Sequence, residues 1–151
     1  MKVLIILGSK SDIEVTKGCG ELLDKFRIPY MREISSAHRQ PQKTRKIIKK
    51  AEENGVEVII AAAGMAAHLP GVVASMTTLP VIGIPLPGSA LAGVDSLYSI
   101  VQMPAGIPVA CMAIGSHGAR NAAILAAEIL ALGDDSLKAK LKSYRDELAA
   151  Q

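Results

Sequence analysis

The chain is poor in aromatic residues. Among 151 residues there is no tryptophan, one phenylalanine and three tyrosines. Platforms that stack nucleic-acid bases or a flavin ring are built from such side chains, so both functions are poorly supported. Cysteine is scarce too. Cys19 and Cys111 stand far apart among apolar or small residues, which reads as two buried free thiols and implies a cytoplasmic protein. Neither has the spacing of a metal site, and three scattered histidines add no metal cluster. Long apolar runs are missing. Gly64, His68, Pro70, Pro80, Pro85 and Pro87 interrupt every candidate before the ~18 residues a membrane span needs. The apolar start, 3–7, is too short for the core of a signal peptide.

Charge is absent where it is least expected. From Val58 to Ala119, 62 residues, the only Asp, Glu, Lys or Arg is Asp95. Cores of subunit interfaces are depleted of charge. The middle of the chain is therefore expected to be buried twice, within the fold and again between subunits of a homo-oligomer. The net charge of +3 is too mild to point to nucleic acid.

What is present alternates between strand and helix patterns. Apolar runs at 3–7, 56–61, 80–84 and 108–114 read as strands covered on both faces, with 29–34 as a further strand. Helices are expected from Asp12, as cap, to about Phe26, from Pro41 to Asn54-Gly55, and over 66–77, 94–101 and 119–132. This alternation predicts a flavodoxin-like three-layer α/β/α sandwich with a parallel five-stranded sheet and an extra C-terminal helix. Residues 1–133 are expected to form the α/β domain that carries any catalytic site, and 134–151 the added helix. Asp134, Asp135 or Ser136 can cap that helix. Its stripe, Leu137, Leu141, Tyr144 and Leu148, fits either its own domain or a neighbouring subunit.

Ligands of open α/β sheets bind at the carboxyl ends of strands, and the loops there are informative. After the first strand comes Gly8-Ser9-Lys10-Ser11-Asp12. Gly8 permits close approach, Ser9 and Ser11 supply hydroxyls, and the next helix offers free amides for a phosphate. Asp12 suits ribose hydroxyls or is simply a helix cap. After the second strand comes Ser35-Ser36-Ala37-His38-Arg39. Arg39 can clamp a phosphate, Ser36 can donate to it, and the His38 imidazole can exchange protons near neutrality, unless it is an ordinary surface histidine. After the third strand, Gly64 and Ala66 let backbone amides face a flat ligand. His68, beside Leu69, can meet a carboxylate or carbonyl, or bond to nearby backbone. The turn 83–89 can complete the wall. His117 reads as a loop residue. No cofactor site is visible, and His38 is left to move protons almost alone.

Four motifs together resemble one family: Gly8-Ser9-Lys10-Ser11-Asp12, Ser36-Ala37-His38-Arg39, Ala66-Ala67-His68-Leu69-Pro70-Gly71 and 95–104. They are similar to class I N5-carboxyaminoimidazole ribonucleotide mutases of de novo purine (IMP) biosynthesis, over about residues 2–132. The resemblance implies an octamer with sites at subunit contacts and a C-terminal helix reaching a neighbour. It implies an isomerase that moves a carboxylate from the exocyclic nitrogen to ring carbon 4, by decarboxylation and recarboxylation. His38 matches the acid/base histidine. Ser9, Asp12 and Arg39 match substrate-binding positions, with Ser11 and Ser36 as further phosphate donors. A sister group carboxylates aminoimidazole ribonucleotide directly with carbon dioxide, but typically lacks the His-Leu-Pro-Gly found here at 68–71. Two departures stand out. Ala62 and Met65 occupy positions where the family usually has glycine. Met65 either tightens the carbon dioxide cage or obstructs the imidazole. Other flavodoxin-like modules fit less well. A phospho-receiver needs an aspartate after its third strand, where this chain has Ala61-Ala62-Ala63-Gly64, and a flavin carrier needs aromatics.

Overall fold

The structure is a computed structural model that describes residues 1–150. Five parallel strands form one sheet: β1 (Val3–Leu7), β2 (Tyr30–Ile34), β3 (Val58–Gly64), β4 (Val81–Leu86) and β5 (Ala110–Cys111), in the order β2-β1-β3-β4-β5. This is the flavodoxin-like order, and it reverses direction at β1. The three central strands are almost wholly apolar because helices cover both faces.

Alternation along β1 splits the core in two. Val3, Ile5 and Leu7 face one side with Val58, Ile60, Ile82 and Ile84. The helices there are α2 (Lys17–Phe26), α6 (Ser116–Leu130) and α7 (Asp135–Ala149). Leu4 and Ile6 face the other side, against α3 (Pro41–Glu53), α4 (Leu69–Ala74) and α5 (Val94–Val101). Ala119, Ala122, Ala123, Ala126 and Ala127 give α6 a smooth inner face with no solvent exposure. Gly83 lets α5 approach the sheet: a Cβ there would stand 2.5 Å from the Ile100 methyl.

Several boundaries differ from the sequence reading. The helix expected from Asp12 to Phe26 is two, α1 (Asp12–Val15) and α2. Thr16 breaks it: its hydroxyl donates to the Asp12 carbonyl at 2.7 Å, competing with the helix ladder. Ser11, not Asp12, takes the N-cap position. The helix expected over 66–77 is only Leu69–Ala74. It starts where Pro70 fixes the backbone, and near its end Ser75 Oγ donates to the Val72 carbonyl at 2.8 Å. β3 runs on to Gly64, and β5 shrinks to two residues at the sheet edge, paired only to Ile82 and Gly83.

Helix α7 is capped by Asp134, whose carboxylate accepts from the Ser136 and Leu137 amides. It lies on its own domain. Leu137 is buried, the Tyr144 ring meets Phe26 edge-on with centroids 5.5 Å apart, and Lys140 Nζ donates to the Phe26 carbonyl. Leu148 stays 46% exposed. The final residue of the 134–151 segment, Gln151, lies outside the described residues.

Candidate active site

The reversal at β1 puts the loops after β1, β2 and β3 around one cleft of about 690 Å³. All ten residues singled out from the sequence line it. They come from three chain segments that only the sheet brings together. Leu86, Pro87 and Gly88, after β4, close the fourth side.

The first loop is a network of hydroxyls around a carboxylate. Asp12 Oδ2 accepts from the Ser9 amide at 2.9 Å, and Asp12 Oδ1 from Ser11 Oγ at 3.3 Å. Ser11 Oγ also lies 3.0 Å from Ser9 Oγ. The amide of Ser9 is therefore taken by Asp12, and α1 is a single turn. The groups this loop leaves to a ligand are hydroxyls rather than a helix end. Partial burial pushes the Asp12 carboxyl above its ordinary range, opposed by its bonds to the Ser9 amide, the Ser11 hydroxyl and the Gly8 amide.

The second loop has a buried root and an exposed tip. The Ser35 amide donates to the Leu7 carbonyl at 2.9 Å, tying this loop to the end of β1. Ser35 Oγ and Thr44 Oγ1 are 2.9 Å apart and fully buried. Lys43 Nζ donates to the Ile34 carbonyl at 2.7 Å. Of the two serines, Ser35 thus holds the fold and Ser36 faces the cleft. Ser36 Oγ accepts from the Arg39 amide and from Arg39 Nε, at 3.3 and 3.4 Å. Arg39 is exposed and joins none of the ion pairs among the described residues. Its guanidinium is available to an anionic ligand.

The third loop leaves β3 at Gly64, turns through Met65 with φ 55°, and brings His68 to the cleft. A Cβ on Gly64 would stand 3.3 Å from the Leu86 carbonyl oxygen, a tight fit against the next strand. Ala66 is exposed in the cleft, whereas Leu69 lines it with a side chain only 2% exposed. His68 Nδ1 and His38 Nε2 share a hydrogen bond, with the rings edge-on and their centroids 4.7 Å apart. One nitrogen must carry the hydrogen and the other accept it. His38 is therefore not alone: a second imidazole stands beside it.

Sequence reasoning missed this pair because it treated the loops after β2 and β3 separately and gave His68 a ligand or backbone partner rather than His38. It missed Thr44 as well, which sits among the lysines of α3. A threonine on the inner face of a helix beside Ile47 and Ile48 was the available signal. His117 lies in the first turn of α6, not in a loop, and outside the cleft. No group of histidine, cysteine and acidic residues among the described residues can hold a metal ion.

Fold and cleft together define a flavodoxin-like α/β enzyme with a polar site at the carboxyl ends of its strands, carrying paired imidazoles and an arginine. The sequence model of the AIR carboxylase family, AIRC, matches residues 2–151, and the chain belongs to that family. It is 52% identical over 147 residues to the N5-carboxyaminoimidazole ribonucleotide mutase of Pyrococcus abyssi, covering 97% of this chain and 83% of that one. The Escherichia coli protein of the same name is 52% identical over 144 residues, covering 95% and 85%. The crystal structure of Treponema denticola PurE superposes with a TM-score of 0.89 at 32% identity, covering 98% of this chain and 91% of that chain.

Proposed function

We propose that this protein converts N5-carboxyaminoimidazole ribonucleotide to 4-carboxy-5-aminoimidazole ribonucleotide, an isomerase step of purine biosynthesis. The observation that carries the reading is the meeting of His38, Arg39 and the serine cluster in one cleft. It occurs in a chain about half identical to proteins named for this reaction.

The chemistry balances without an outside reactant. The N–C bond of the carbamate breaks, its electron pair returns to nitrogen, and carbon dioxide is released in the pocket. Ring carbon 4 then attacks the carbon dioxide, and its proton leaves. The net proton change is zero, one leaving carbon and one reaching nitrogen. His38 carries it. His68 fixes the His38 ring through the shared hydrogen bond and faces the carboxylate. Arg39, Ser9, Ser11 and Ser36 hold the phosphate, and Asp12 takes the ribose hydroxyls. Gly64, Ala66 and Leu69 form the wall against the flat imidazole.

The assembly belongs to the same proposal. Leu91, Val94, Tyr98 and Val101 are exposed apolar residues on and just before α5, within the uncharged middle. Such a face suits contact between copies, and a homo-octamer is the expected state, with α7 reaching a neighbour through its free side. The two unpaired thiols fit a cytoplasmic enzyme.

The test is conversion of the N-carboxylated substrate without ATP or added metal. Turnover only from aminoimidazole ribonucleotide plus bicarbonate would favour direct carboxylation instead. His38→Asn should lower kcat by about 10²–10⁴-fold; an unchanged rate would remove His38 from the mechanism. Light scattering at micromolar concentration tests the assembly, and a monodisperse monomer would overturn it.

A further inference from the structure

Among the described residues, three other than glycine have positive φ: Arg27, Met65 and Ala92. Arg27 ends α2, where a left-handed residue is ordinary, and its amide bonds to the Asp24 carbonyl at 2.9 Å. Ala92 lies in a turn closed by its amide on the Ser89 carbonyl. Met65 ends no helix, yet holds φ 55° with a side chain that glycine would spare this strain. Burial within the subunit does not compensate, since Met65 is 63% exposed there. A strained residue whose side chain does not pack invites a functional explanation.

Its position supplies one. Met65 lines the cleft, and the residues beside it, Gly64, Ala66 and Ala67, are too small to cover anything. A methionine has three flexible bonds and an apolar, polarizable end. It can swing aside for a nucleotide and lie over it once bound. Carbon dioxide, uncharged and small, offers little for hydrogen bonds to hold, so it is retained by closing its exit and excluding water.

We propose that Met65 is a hydrophobic cap over the reaction pocket, a positioning residue that keeps released carbon dioxide beside ring carbon 4. The cap rests on the mutase reading. Met65 makes and breaks no bond. Its backbone strain is tolerated because the cap sits where glycine would leave the pocket open.

The test runs the reaction from unlabelled N-carboxylated substrate in ¹³C-bicarbonate with carbonic anhydrase, and reads label in the ring-carboxylated product by mass spectrometry. Wild type should incorporate little. Met65→Gly should incorporate several-fold more and release free aminoimidazole ribonucleotide, with an equal or higher Tm. Met65→Leu should restore retention. Equal label in wild type and Met65→Gly overturns the cap, as does a fall in Tm, which would mean that the side chain packs. Wild type that forms no ring-carboxylated product overturns the mutase reading itself, and the cap with it.

Discussion

Ser35 and Thr44 share a hydrogen bond of 2.9 Å between hydroxyls with no solvent exposure. The bond pins the root of the loop that carries His38 and Arg39 to the first turns of α3. Thr44→Val removes one hydroxyl at nearly constant volume and leaves Ser35 dependent on the Gln40 carbonyl at 3.5 Å. We expect a loss of about 1–3 kcal/mol in urea unfolding. Because the tip of the loop loosens, kcat should fall as well.

Asp12 gives a pH signature. Its carboxyl is held above the ordinary aspartate range, chiefly by burial. The folded state therefore binds a proton more tightly than the unfolded state. Its contribution to stability is greatest below the unfolded value and is lost as pH rises through the folded value. Asp12→Asn lacks this loss. The stability of the variant relative to wild type should rise between pH 3 and pH 7, in thermal melts across that range, while its affinity for the ribonucleotide falls.

Arg39→Ala should separate binding from chemistry. A charge-assisted bond contributes about 1.5–3 kcal/mol, so KM should rise roughly 10- to 150-fold. kcat should change far less, which steady-state kinetics would show. His38→Asn should give the opposite pattern.

The thiols should differ in reactivity. Burial pushes the Cys19 thiol up to about 12, against a lowering by Arg32. Cys111 is half-buried and is raised by burial as well. A thiol reagent at pH 8 should modify Cys111 slowly and Cys19 only at the rate of unfolding. Equal rates would contradict the packing of α2 on the sheet.

Gly118→Ala should be among the most damaging small changes. A Cβ there would fall 1.7 Å from the Ala113 carbonyl oxygen, a backbone atom that cannot step aside. The start of α6 would have to move away from the chain leaving β5. We expect a loss of more than about 2 kcal/mol, or failure to accumulate in soluble form.

Apolar runs and helix punctuation made most elements legible. The span of α5, Val94–Val101, was read directly, and that of β2, Tyr30–Ile34, to within one residue. What failed was decided by single hydroxyls and by the sheet edge. Thr16 breaks a helix that its neighbours favour, and β5 has a pairing partner on one side only. The site was legible as separate loops, since Ser, Arg and His cluster after strands. That His38 and His68 touch depends on how two loops from different strands fold over the cleft, which no local pattern of residues contains.

The order β2-β1-β3-β4-β5 has a further consequence for how this protein can change. Residues 8–12, 36–39 and 64–69 hang on the ends of β1, β2 and β3, and only Ala67 and Leu69 among them are buried in the core. Substitutions at the exposed positions of these loops alter what the cleft accepts without removing core volume. The framework and its specificity can drift at different rates, and a variant library confined to those exposed positions would sample new ligands while most members still fold.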